Sequence, residues 1–227
     1  MMIRVDADER QVWRLVLMLV LFELCLSLIF ITSSLLGMKV WIVHRLFDMD
    51  GEQNIPAWFS SVQLFAIGLV FLLKIFDTNP TPAIPRYFLL LVGLGFIFLS
   101  ADEAAGIHEQ ISQSLNKFGG LPGFKGGHGY WVAVYGAIAV TLALSNLRPA
   151  WNMWTQYRRA STYIAVGMSL IVAGAMGLEI ISYQFLRDGD APMLYMLEVA
   201  GEEFLEMAGA SVVLCGALQL LLPDQRT

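Results

Sequence analysis

The sequence predicts an all-α integral membrane bundle of about six transmembrane helices, forming a single membrane domain over residues 1–227. Two observations carry that expectation. Of the 227 residues, 57% are hydrophobic and 15% charged, with a mean hydropathy of +0.63, whereas a water-soluble domain is nearer one quarter charged. The apolar residues also gather into six segments of the length, roughly 20 residues, that a helix needs to cross the hydrocarbon core. The links between them are too short for a soluble module, and no phosphate-cradling glycine loop is present.

The first segment, residues 12–31, follows Arg4, Arg10 and Arg14. It exceeds the apolar core of a signal peptide and has no small-residue cleavage site behind it, so it reads as a retained helix. Glu23, near its middle with Ser27 one turn on, fits an interhelical hydrogen-bonding role better than a ligand role. The amphipathic stretch Met38 to Phe47 is expected to lie along the outer interface, and a polar turn through Pro56 leads into the second span, residues 57–73. The third span, 87–107, ends in an acidic run, and a glycine-rich loop containing His128 precedes the fourth, 130–144. A basic link with Trp151 and Trp154 precedes the fifth, 163–185. The last span, 193–222, carries Glu198, Glu202, Glu203 and Glu206 in its outer half.

Charge sets the expected orientation. With six spans both termini share a side, and that side holds nine Lys and Arg residues against five on the other, so the positive-inside bias puts both ends in the cytoplasm. Trp41, Trp58 and Trp131 then serve as outer interface anchors and Trp151 and Trp154 as inner ones. A net charge of -5 argues against docking on nucleic acid or anionic lipid. Cys25 and Cys215 fall inside apolar helices and imply no redox chemistry.

Counting helix lengths outward from the inner side brings three acidic runs to one depth. They are Asp102, Glu103, His108 and Glu109 on the third helix, Glu179 on the fifth, and Glu198, Glu202, Glu203 and Glu206 on the sixth. At 100° per residue, Asp102 and Glu109 share an edge of one helix, and Glu198, Glu202 and Glu206 form a stripe on another, with Tyr195 beside it. Ionisable groups in a membrane tend to face the bundle interior and find a partner, yet no Lys or Arg lies in these stretches. The neutralising charge is therefore a proton or a bound metal. The third and sixth helices are expected to be neighbours, with Asp102 and Glu109 facing Glu202 and Glu206.

Carboxylates with a histidine suit a divalent ion, with zinc, iron, manganese and calcium all open. Asp102, His108, Glu109, Glu179, Glu198, Glu202 and Glu206 are the candidate metal ligands, and Glu103 and Glu203 the candidate proton carriers. The segment Asp48, Asp50, Glu52, Asn54 places oxygen ligands around Gly51 as short calcium loops do, without the full twelve-residue pattern. A plain polar turn leading through Pro56 into the next helix explains it better.

Asp48 to Ser61, Leu99 to Glu103 followed by His108-Glu109, and Glu202-Glu203-x-x-Glu206-Met207 together resemble a set of uncharacterised bacterial polytopic membrane proteins. That resemblance implies a multi-pass protein of the bacterial inner membrane and carries no activity. The zinc hydrolases of the alkaline ceramidase and adiponectin-receptor superfamily have paired histidines on a late helix that this chain lacks. The CAAX proteases share Glu202-Glu203 but not the arginine and histidines that follow.

Three function classes stay open. A metal-dependent membrane enzyme acting on a lipid or other membrane-associated substrate fits the ligand types, with Tyr195 and Tyr183 orienting the substrate. A cation- or proton-coupled transporter fits the acidic vestibule but lacks an acidic site on the inner half. An accessory subunit of a membrane complex, with a membrane-protein partner or a second copy of itself, fits equally short loops. The lipid bilayer is the one partner common to all three.

Overall fold

The computed structural model describes residues 8–37, 40–76, 84–118, 124, 129–186 and 191–222. Among these the chain is helical, with no strand. Helix α1 (Glu9–Leu35) starts at Asp8, whose side chain accepts from the Arg10 amide while Gln11 reaches back to the Asp8 amide, a reciprocal capping box. The short α2 (Trp41–Phe47) precedes a turn that ends at Asn54. The Asn54 carboxamide oxygen caps α3 (Ile55–Ile75) by accepting from the Ala57 amide at 2.9 Å, with Pro56 in the first turn where a missing N–H costs nothing.

Helix α4 (Arg86–Ala105) ends at Gly106, which takes a left-handed conformation with φ 58°. That conformation is nearly free for glycine and costly for other residues. A separate helix α5 (Ile107–Phe118) begins immediately after it. Helical spacing predicts one helix from Asp102 through Glu109; the glycine breaks it, so the expected shared edge of Asp102 and Glu109 does not form. Helix α6 (Tyr130–Ser145) bends by 68° into α7 (Leu147–Gln156).

Helix α8 (Arg158–Leu186) is regular to Val172, widens to π-type turns over Ala173–Leu178, and widens again over Ser182–Leu186. Helix α9 (Pro192–Gln219) closes the bundle. Among the described residues four helices, α1, α3, α4 and α8, are long and apolar enough to cross a membrane, and there are five if the bent pair α6–α7 is one span. Their outward side chains fit that environment: Leu17, Met18, Leu21 and Leu28 on α1, Leu94 and Phe98 on α4, and Ile138, Val140 and Leu142 on α6 are all exposed. Large apolar side chains over several helices are tolerated where lipid rather than water surrounds them.

The core forms where α3, α8 and α9 meet, around Ile67, Phe71, Ala210, Val213 and Ala217, each at most 1% exposed. Small residues let these backbones close up. A Cβ on Gly68 would lie 2.7 Å from the Gly93 carbonyl, and one on Gly167 would lie 2.5 Å from the Gly209 carbonyl. Helix α3 packs directly on both α4 and α9. The expected adjacency of the third and sixth spans is seen only at the cavity, where Asp102 and Glu109 share a wall with Glu202 and Glu206. Helix α3 stands between α4 and α9 below, and these two face one another only across a cavity at one end of the bundle. At the opposite end Arg159 pairs with Glu9, Nη1 donating to Oε2 at 2.8 Å, and Trp13 meets Tyr163 edge to face. His128 and the stretch Met38–Lys39 lie outside the described residues.

Candidate functional site

The cavity has a volume of about 180 Å³. Six segments converge on it: the turn before α3, the first half of α3, the junction of α4 and α5, the start of α6, the widened part of α8, and the N-terminal half of α9. Its wall carries nine carboxylates (Asp50, Glu52, Asp102, Glu103, Glu109, Glu179, Glu202, Glu203 and Glu206), one histidine (His108) and three tyrosines (Tyr135, Tyr183 and Tyr195). Among the described residues no Lys or Arg lines it. Residues from all three acidic runs thus share one chamber.

At one side of that chamber Glu52, His108 and Glu109 bring one ligand-type atom each to within 4.8 Å of one another. The break at Gly106 makes this possible, since it turns His108 and Glu109 off the line of α4. Asp102, buried at 6% exposure, accepts from the His108 backbone N–H at 2.7 Å through Oδ1. Its Oδ2 stands 3.3 Å from His108 Nδ1. A histidine whose Nδ1–H is held by a carboxylate presents Nε2 for a ligand bond in a fixed orientation, the arrangement typical of metal-bound histidines. Asp102 therefore sits behind the histidine, and Glu52 joins Glu109 in front of it.

Trp131 supports this arrangement and is not the exposed interface anchor the sequence suggested. It is 8% exposed, meets the His108 ring edge to face at 5.2 Å, and points Nε1 at Glu179 Oε1 over 3.5 Å. Its own amide donates to Ser112 on α5 at 3.1 Å. The electrostatics follow from crowding. Burial pushes the Glu52 carboxyl above its ordinary range, with Glu109 and Asp102 adding to the rise and His108 opposing it. Burial alone would depress His108, but the hydrogen bond and charge of Asp102, with Glu103 and Glu52, outweigh it and raise the imidazole.

The turn between α2 and α3 does not assemble as a calcium loop. Asp48 faces His44 at 3.6 Å and accepts from the Asp50 amide. Asp50 accepts from the Tyr195 hydroxyl at 2.5 Å, and Asn54 caps α3 while donating to the Asp48 and Gly51 carbonyls. Of the four oxygen donors, Glu52 alone is directed to the His108 group. Beside it Gln53 adopts φ 61°, an uncommon conformation for a residue with a side chain and one that marks strain held by its surroundings.

The deeper wall is formed by Glu103 on α4, Glu179 on α8, and Glu202, Glu203 and Glu206 on α9. Glu179 sits between the two widened stretches of α8, and such wide turns recur at functional sites because they re-aim side chains. Gly174 makes room for α9: a Cβ there would lie 2.8 Å from the Glu202 carbonyl and 2.9 Å from Glu206 Cγ. Glu198 is off the wall, with both carboxylate oxygens buried beside it. An i,i+4 stripe rotates by about 40° per step, enough to carry Glu198 past the edge of the arc that Glu202 and Glu206 occupy.

Sequence reasoning missed the pairing of Glu52 with His108 and Glu109, the inward turn of Trp131, and the presence of Ser60 and Tyr135 on the wall. Helical spacing contains no signal for any of them. A family model described as a domain of unknown function (DUF8692) matches residues 14–221. No curated protein and no solved structure matches the chain.

Proposed function

The chain belongs to the DUF8692 family, a domain of unknown function, and we propose that it is a metal-dependent enzyme of the bacterial inner membrane acting on a lipid or other membrane-associated substrate. In this reading the single domain spans the bilayer six times, with both termini in the cytoplasm. Helix α9 is the sixth span: its 28 residues reach about 42 Å at 1.5 Å per residue, and only its glutamates set it apart from the other spans. The positive-inside bias then turns the cavity to the extracytoplasmic face.

The observation that carries the reading is the convergence of Glu52, His108 and Glu109 with Asp102 fixing the histidine from behind. Two carboxylates and an imidazole suit zinc, iron or manganese. Three protein ligands leave coordination positions open, as catalytic sites require and structural ones do not. When bound, the ion supplies Lewis acidity. Glu103 and Glu203, deeper on the same wall, hold and transfer protons to and from the reacting group. Tyr195, anchored on Asp50, and Tyr183 orient the substrate at the mouth.

Elemental analysis of the purified full-length protein tests the proposal. Near-stoichiometric zinc, iron or manganese is expected, lost in Glu52→Ala and His108→Ala. Metal-free protein whose thermal stability is unchanged by any of these ions would overturn it. Substrate-free ion flux in proteoliposomes would move the assignment to transport.

A further inference from the structure

A second buried polar group lies below the cavity, in the middle of the bundle. Glu23 on α1 is 0% exposed, Gln63 on α3 is 3% and Ser211 on α9 is 0%. Gln63 Nε2 donates to Glu23 Oε1 at 2.9 Å and to Ser211 Oγ at 2.8 Å. The Ser211 hydroxyl donates to the same Oε1 at 2.7 Å. Ser27, one turn from Glu23, donates to the Glu23 backbone carbonyl and not to its carboxyl.

All three available hydrogens of Gln63 and Ser211 are thereby used, while Glu23 Oε2 and Gln63 Oε1 stay buried with nothing donating to them. Two orphaned acceptors in one fully buried cluster are a shortage of one donor. A single hydrogen on Oε2, directed at Gln63 Oε1, closes an acid–amide ring and satisfies both. Turning the amide over does not remove the need, because it would set two acceptors 2.9 Å apart with no hydrogen between them. No basic side chain is available either. Helix α1 has none beyond Arg14, α3 none before Lys74, and α9 none at all; the other ionisable groups on these helices are Glu9, Cys25, Tyr195, Glu198, Glu202, Glu203, Glu206 and Cys215. An ionised carboxylate with no cation at this depth is expensive.

We propose that Glu23, Gln63 and Ser211 form a proton-binding site, with Glu23 held as the neutral acid and its Oε2–H donated to Gln63 Oε1. The site joins α1, α3 and α9 without placing net charge between them. It lies just under the cavity: Ser211 is five residues, about 7.5 Å along the helix, from Glu206, and Gln63 is one turn from Ser60 on the wall. It is independent of metal binding.

Infrared spectroscopy of the full-length protein in lipid nanodiscs, with carboxyl-labelled glutamate, provides the test. A carbonyl band of a protonated, unhydrated carboxyl is expected at neutral pH, absent in Glu23→Gln and shifted in frequency but retained in Gln63→Leu. Glu23→Gln, an isostere of the neutral acid, is expected to keep the wild-type unfolding temperature, and Glu23→Ala to lose it. Absence of the band in wild type, or sodium-dependent stabilisation that disappears in Glu23→Gln, would overturn the proposal in favour of an ionised Glu23 holding a cation.

Discussion

In the proposed metal site His108 is the central residue, because three of its relations are set by different segments. Asp102 holds Nδ1, Trp131 packs on the ring edge, and Glu52 and Glu109 stand on the ligand side. Removing the Asp102 charge in Asp102→Asn should weaken metal binding by about 10- to 100-fold, the usual cost of losing such a support, measured by competition with a chelating dye. The pH dependence follows from the raised His108. A metal needs the neutral imidazole, so the proton must leave first. Affinity should therefore rise with pH through a window above the ordinary imidazole value of 6.5 and fall below it. In the metal-free protein the sign is opposite for stability. A raised imidazole stabilises the fold at low pH, and that contribution is lost as pH rises through its folded-state value. Unfolding midpoints with and without metal across this range check both.

At the scale of the helix, irregularity is what shapes the cavity. The left-handed Gly106 separates α5 from α4, and the wide turns of α8 place Glu179 inward while Gly174 admits Glu206. Gly174→Ala should push α8 from α9 and destabilise the protein by about 1–3 kcal/mol, the range for overpacking a filled site, read from denaturant unfolding in detergent. Gly95→Ala is the control. It has open space around its Cβ position and should be neutral or slightly stabilising, since alanine is the better helix former.

For the molecule as a whole, the two ends differ in chemistry. One end collects the nine cavity acids, and the other carries the Arg159–Glu9 pair and the stacking of Lys74 over Tyr157 at 5.3 Å. A bilayer lying between them should separate two exposed positions, Gln110 on α5 and Thr155 on α7. In a Cys25→Ser background, Gln110→Cys should react with an impermeant thiol reagent added outside intact cells, and Thr155→Cys only after permeabilisation. The reverse pattern would invert the orientation.

Composition and apolar run length determined the helical class and the apolar helices compatible with a membrane, because burial of backbone polar groups in lipid leaves few alternatives to a helix. The same reasoning found Asp102, Glu103, His108, Glu109, Glu179, Glu202, Glu203 and Glu206, since charge in an apolar run is conspicuous. It put Glu198 among them, where the drift of an i,i+4 stripe takes it off the wall. Only the tertiary structure decided who meets whom. The Gly106 break, the interposed α3 and the turn carrying Glu52 depend on chain direction and packing between segments far apart in sequence. Helical periodicity describes a face on one helix and contains no information about which face of another helix it meets.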